Sequence, residues 1–165
     1  MGSSLAPCSV RIVVVGGSAS NVGKTTLAVQ LIGPLAAAGR TVAVKVSVRE
    51  RPCETRVLLL RRGDEAEHRR DTGRLLAAGA ECVVWVTVHR SAVRSGLARG
   101  LAAARRLRPA NVFIESTSAG IELHRISEAW FVAGAGEWKP WADLHRRRAD
   151  HVLTTEDVFE SAVAS

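Results

Sequence analysis

Cysteine, lysine and long apolar runs are all scarce in this chain, and each shortage excludes something. The three cysteines, Cys8, Cys53 and Cys82, form an odd, widely spaced set without a C-x-x-C pair. A disulfide framework is therefore not expected, and a reducing compartment is. His68, His89, His124, His145 and His151 fall into no metal-ligand spacing with the cysteines, which argues against a structural zinc. No apolar run approaches the ~20 residues that a membrane-spanning helix needs. The opening MGSSLAPCSV lacks the basic-then-apolar order of a signal peptide. A soluble, cytoplasmic protein is the expectation. No repeat, linker or low-complexity stretch divides the chain. Its 165 residues, 47% of them hydrophobic, are expected to form one domain over residues 11–160, behind a flexible N-terminus of residues 1–10.

Only Lys24, Lys45 and Lys139 are lysines among 23 basic residues, so the net charge of +7 is an arginine charge. Such a balance suits anionic partners such as nucleotides, although most of these arginines read as a solvated surface. The His145-Arg146-Arg147-Arg148 cluster lacks the aromatic interleaving of a nucleic-acid site and reads as a solvated helix face. Nucleic acid is not an expected partner.

What is present is concentrated in residues 12–26, IVVVGGSASNVGKTT, where a β-branched run breaks into a glycine-bearing loop ending in Gly-Lys-Thr-Thr. A strand fixes where such a loop starts, its turn aims backbone N–H groups at one anion, and the next helix points its positive end there. The pattern predicts a phosphate-binding loop in which Gly17, Ser20, Asn21, Val22, Gly23, Lys24, Thr25 and Thr26 hold a nucleotide. Lys24 would reach the β/γ-phosphates and the Thr25 hydroxyl would bind Mg²⁺. One departure marks this loop. The usual spacing has four residues between the glycines, but here Ser18 holds the first glycine position and Gly17 stands one residue earlier.

Downstream, Leu27, Leu31 and Leu35 predict the buried face of a helix, kinked at Gly33-Pro34 and stopped at Gly39. TVAVKVSV (41–48) reads as a strand. Its Lys45 is either a strand-end lysine reaching solvent or a second cation near the phosphates. Residues 49–70 alternate charges without clear periodicity, apart from Val57-Leu58-Leu59-Leu60, and read as a mobile charged excursion. A helix over Asp71 to Ala78, a buried strand over 82–88, a helix that Ser91 could cap, and strands at 111–115, 130–133 and 151–154 follow. A short basic helix over 141–148 precedes the last of these. Six strands alternating with helices predict a doubly wound, mostly parallel α/β sheet of the P-loop NTPase type, with ligands at the carboxyl ends of the strands.

Glu115 ends an apolar strand, which is where a nucleotide site places a Mg²⁺-holding carboxylate; a surface acid is the plainer alternative. Asp71 is either a further site acid or a helix cap beside Thr72. Thr154-Thr155-Glu156-Asp157 resembles the guanine-reading T-K-x-D pattern with Thr155 in place of lysine, so Asp157 is a candidate base reader. The same four residues also suit an ordinary helix start capped by Thr154 or Thr155.

Four stretches, GGSASNVGKTTL, LIGPLAAAGRTVAVK, DTGRLLAAGA and NVFIES, together resemble MobB, the P-loop GTP-binding protein family associated with molybdenum cofactor guanine dinucleotide synthesis. The resemblance covers most of residues 10–116, and the Asp71-Thr72-x-Arg74 to Ala78-Gly79-Ala80 block is its most specific part. It implies that Gly23, Lys24, Thr25 and Thr26 bind phosphates and Mg²⁺, with Lys45, Asp71 and Glu115 around them. Val46-Ser47-Val48 stand where that family has histidines, and Ser116-Thr117 where it has glycine. The loop is also similar to those of dethiobiotin synthetase and the cobyrinate amidases, whereas Ala19 replaces the signature lysine of MinD-like ATPases. The resemblance implies a Mg²⁺-dependent nucleotide-binding adaptor, for GTP ahead of ATP, with slow hydrolysis, serving a cofactor-synthesis partner protein and compatible with a homodimer. An ATP-dependent carboxylate-activating ligase or small-molecule kinase is the alternative, with Lys45 and the arginines of 49–70 holding substrate anions. A partner-binding fold without nucleotide would not need Lys24 and Thr25.

Overall fold

The computed structural model describes residues 9–64, 71–116 and 118–163. Seven strands form one sheet in the order β3-β4-β2-β5-β1-β6-β7. They are β1 (Arg11–Gly17), β2 (Thr41–Arg49), β3 (Arg56–Arg61), β4 (Cys82–His89), β5 (Asn111–Glu115), β6 (Glu128–Ala133) and β7 (His151–Thr154). The helices are α1 (Lys24–Ala38), α2 (Asp71–Ala77), α3 (Val93–Arg106), α4 (Ala119–Glu122), α5 (Ala142–Arg148) and α6 (Thr155–Val163). Every neighbouring pair runs parallel except β3 with β4.

Both faces of the sheet are covered, so the central strands can be apolar at nearly every position. Along β1, Val13 and Val15 pack with Leu27, Ala28, Ile32 and Leu35 of α1, with Leu75 and Leu76 of α2 and with Val158 of α6. The alternating Ile12 and Val14 pack on the other face with Leu97, Leu101 and Ala104 of α3 and Ala119 of α4. This alternation across a two-sided core is the doubly wound arrangement that the sequence predicts. Among the described residues no helix is long and apolar enough to cross a membrane.

α1 continues through Pro34 and ends at Gly39, whose N–H donates to Leu35 O at 3.0 Å. Its last carbonyls also receive a side chain from the sheet: Asn111 Nδ2 donates to Leu35 O at 2.9 Å and to Gly39 O at 3.3 Å. The buried stripe is Leu27, Ala28, Ile32 and Leu35, with Leu31 only partly buried at its margin rather than in its centre.

Three expectations need correction. Residues 49–70 are not wholly an irregular excursion, because Arg56–Arg61 forms β3, an antiparallel edge strand on β4; residues 65–70 lie outside the described part. Ser91 does not cap α3. A 3-10 turn over Arg90–Ala92 intervenes, and there the His89 side chain accepts from the Ser91 N–H. The His145–Arg148 cluster is not uniformly solvated either: His145 is fully buried, edge-on to Phe131 at 5.6 Å, while Arg146, Arg147 and Arg148 are exposed. The expected flexible N-terminus falls largely in residues 1–8, outside the described residues.

Candidate functional site

The parallel pairing brings the carboxyl ends of β1, β2 and β5 side by side, with Val15 opposite Glu115 and Lys45 opposite Glu115. The loop between β1 and α1 lies across these ends. Its shape depends on two non-standard backbone positions, Asn21 at φ 58° and Gly23 at φ 106°. The left-handed region strains most side chains, which accounts for glycine at 23 and for an asparagine, which tolerates it, at 21. Gly17 answers a different demand. A Cβ there would come within 2.7 Å of Val22 Cγ2 and 2.9 Å of Lys24 Cγ, so the loop folds back directly over it.

Lys24 Nζ donates to Ala19 O at 2.6 Å, arching over the loop. Burial, and next the charge of Lys139, push its ammonium down to about 8 against the opposing pull of Glu115. Beside it Thr25 Oγ1 donates to Glu115 Oε1 at 3.1 Å. Lys45 Nζ donates to the same oxygen at 3.1 Å and to Asp71 Oδ2 at 2.8 Å. One carboxylate thus joins the loop's helix to β2, and β2 joins α2. Burial alone would raise the Asp71 carboxyl; the bond and charge of Lys45, with help from Arg74 and Thr25, hold it below its ordinary value.

Lys24, Thr25, Lys45, Asp71 and Glu115 lie together, and the Lys45 ammonium turns to Asp71 and Glu115 rather than reaching away to solvent. Ser20 and Asn21 are exposed on the loop, while Val22 is buried and accepts a bond from Thr155 Oγ1 at 2.9 Å. Thr26 Oγ1 accepts from Arg74 at 3.3 Å. Asp157 is in the first turn of α6, where its Oδ2 accepts from the Thr154 N–H and hydroxyl, both at 2.7 Å, and Thr154 Oγ1 accepts from the Asp157 N–H at 3.2 Å. That reciprocal arrangement is the helix start capped by Thr154. Sequence reasoning missed Arg74 as a neighbour of Thr26, and it missed Lys139. The rarity of lysine was the available signal for the latter.

Mg²⁺ is the metal this fold implies, and the donor set suits it. Thr25 Oγ1, Glu115 and Asp71 offer oxygen alone, which hard cations prefer. Glu115 Oε2 is buried and takes no hydrogen bond among the described residues, leaving a carboxylate oxygen with unmet bonding capacity.

No family model matches the chain, and no curated protein matches it in sequence. Among solved structures, LpxK from Aquifex aeolicus, crystallised in complex with ATP, is similar with a TM-score of 0.57 and 16% identity. The match covers 88% of this chain and 48% of that one, so the chain spans about half the length of that structure. At such identity the likeness is one of fold, and it agrees with the sheet and loop described above: this is an α/β fold of the P-loop NTPase type.

Proposed function

We propose that the chain binds a nucleoside triphosphate with Mg²⁺ at the loop of residues 17–26 and hydrolyses it slowly. The observation that carries this reading is the shared Glu115 carboxylate, bonded at once by Thr25 from the loop's helix and by Lys45 from β2. Thr25, Glu115 and Asp71 would hold the metal, which when bound neutralises charge on the phosphates. Lys24 would exchange its bond to Ala19 O for phosphate oxygens, and the N–H groups of 20–26 would orient the chain of phosphates. Phosphoryl transfer asks chiefly for this positioning and charge compensation. Arg74, already at Thr26, adds a cation beside the loop.

The finer reading is a MobB-like adaptor that prefers GTP and serves a partner in molybdenum cofactor guanine dinucleotide synthesis. It rests on the sequence resemblance, above all the Asp71 to Ala80 block. Guanine offers two N–H groups to a reading carboxylate, while Asp157 has one oxygen already engaged by Thr154. The guanine preference should therefore fall well short of the ~10⁴ discrimination that a fully committed hydrogen-bonding site achieves. A second reading, ATP-dependent phosphoryl transfer to a small molecule, is favoured by Asp71, a half-exposed carboxylate held ionised at the site mouth.

Titration calorimetry with ATP and GTP, with Mg²⁺ and with EDTA, tests the proposal. Saturable Mg²⁺-dependent binding supports it, and absence of binding to both nucleotides refutes it. Binding of ATP alone removes the guanine preference; release of ADP stimulated by one metabolite in a panel selects the second reading.

A further inference from the structure

Ser18, the residue that breaks the usual loop spacing, is fully buried and bonded on all three of its polar groups. Its N–H donates to Val132 O at 3.0 Å, its carbonyl accepts from the Lys139 N–H at 2.8 Å, and its Oγ accepts from the Gly134 N–H at 2.8 Å. All three partners lie at or just beyond the end of β6. A glycine at 18 would keep the two backbone bonds and lose the third. The segment is also held by its own contacts. Trp138 Nε1 donates to Gly134 O at 3.2 Å, and its ring leans on Phe131 at 5.7 Å. A Cβ at Gly134 would come within 2.3 Å of Val22 Cγ1, so the segment's backbone lies directly against the loop.

This geometry brings Lys139 beside the start of the loop, where Lys24 already folds back onto Ala19. The charge of Lys139 bears on Lys24 more strongly than that of Lys45 does. Arginine supplies all but three of the 23 basic residues, and the charges of the other two lysines both act on Lys24. Lys45 is compensated by Asp71 and Glu115, but among the described residues neither Lys24 nor Lys139 takes part in an ion pair. Two ammonium groups without an ion pair of their own, carried at one end of the loop, call for an anion, and a compact point charge is a common phosphate binder.

We propose that Lys139 is a third phosphate-binding cation of this site, carried on a clasp of residues 134–139 that Ser18 fastens to the loop. The inference rests on the nucleotide-binding reading and deepens it. Because Lys139 lies at the same end of the loop as the Lys24 ammonium, it acts on the terminal phosphate, so the site distinguishes a triphosphate from a diphosphate by charge.

The test is titration of fluorescent N-methylanthraniloyl ATP, ADP, GTP and GDP, with Mg²⁺, into wild type, Lys139→Met, Lys139→Arg and Ser18→Ala. Lys139→Met should weaken triphosphate binding roughly tenfold, the scale of one hydrogen bond to a charged group. Diphosphate binding should weaken less, so the triphosphate-to-diphosphate affinity ratio falls. Lys139→Arg should restore most of the ratio, and Ser18→Ala should shift it in the same direction by less. Lys139 is exposed, so the ligand-free melting temperature should not move. An unchanged ratio in Lys139→Met, with wild type binding normally, overturns this inference and leaves the nucleotide reading intact. Failure of wild type to bind any of the four probes overturns both.

Discussion

The Thr25 hydroxyl donates to Glu115 Oε1 at 3.1 Å, tying the first turn of α1 to the last residue of β5 through a buried carboxylate. Replacing Glu115 by glutamine keeps the shape and removes the charge. The Mg²⁺ affinity of the nucleotide complex is expected to fall roughly 10- to 100-fold, the scale reported for disturbed metal surroundings. Nucleotide binding in EDTA should change little. Magnesium titrations at saturating nucleotide measure this, and equal affinities in the two proteins would remove Glu115 from the metal site.

Lys24 gives the site a pH signature. Its ligand-free ammonium titrates near 8, and a bound phosphate favours the charged form. Binding should therefore be full below pH 8 and weaken as pH rises through that value, with net proton uptake in the falling range. Calorimetry at pH 8.5 in buffers of different ionisation enthalpy reads the uptake directly. Lys24→Met should bind weakly and show no uptake linked to this group. In the ligand-free protein the sense is opposite: the unfolded chain holds this proton more tightly, so the Lys24 contribution to stability rises with pH above about 8.

Gly17→Ala places a Cβ 2.7 Å from Val22 Cγ2 and 2.9 Å from Lys24 Cγ. Overpacking of this kind costs about 1–3 kcal/mol. The distinguishing outcome is a double loss: a lower melting temperature and a nucleotide affinity reduced further than that stability loss accounts for, because Lys24 is displaced. Thermal denaturation with and without nucleotide separates the two.

The edge strand makes a sharper test of register than of function. Leu60 is 8% exposed and packs into the cluster that holds the α1 and α2 side chains, whereas Leu59, on the opposite face of the sheet, is 44% exposed. Leu60→Asp should destabilise by about 3 kcal/mol or more, and Leu59→Asp by less than about 1 kcal/mol. Urea denaturation of both variants measures the contrast.

Much of the sheet is legible in sequence because β1, β4 and β5 are buried on both faces and read as unbroken apolar runs. β3 is not legible for the converse reason. In RVLLLR only Leu60 is buried, so the buried-strand pattern is absent and the charged flanks dominate. The site divides in the same way. Lys24, Thr25 and Glu115 stand at the ends of regular elements, where position along the chain fixes position in space. Lys139 lies in a loop placed by its own N–H on the Ser18 carbonyl and by the Gly134 N–H on Ser18 Oγ, and no periodicity in the sequence encodes such bonds. Asp157 shows the limit of a short motif, since Thr154 and Asp157 satisfy a helix start with the same residues.

Binding of nucleotide phosphates by the loop of residues 17–26 should depend on Lys24. Thermal denaturation with Mg²⁺ and either ATP or GTP, for wild type and Lys24→Ala, tests it most directly. Ligand at ~100 times its Kd stabilises by about 2.7 kcal/mol, which for a chain of this size raises Tm by roughly 5–10 °C. That saturable shift is expected in wild type, and its loss in Lys24→Ala. No shift with either nucleotide, or an equal shift in Lys24→Ala, would contradict it.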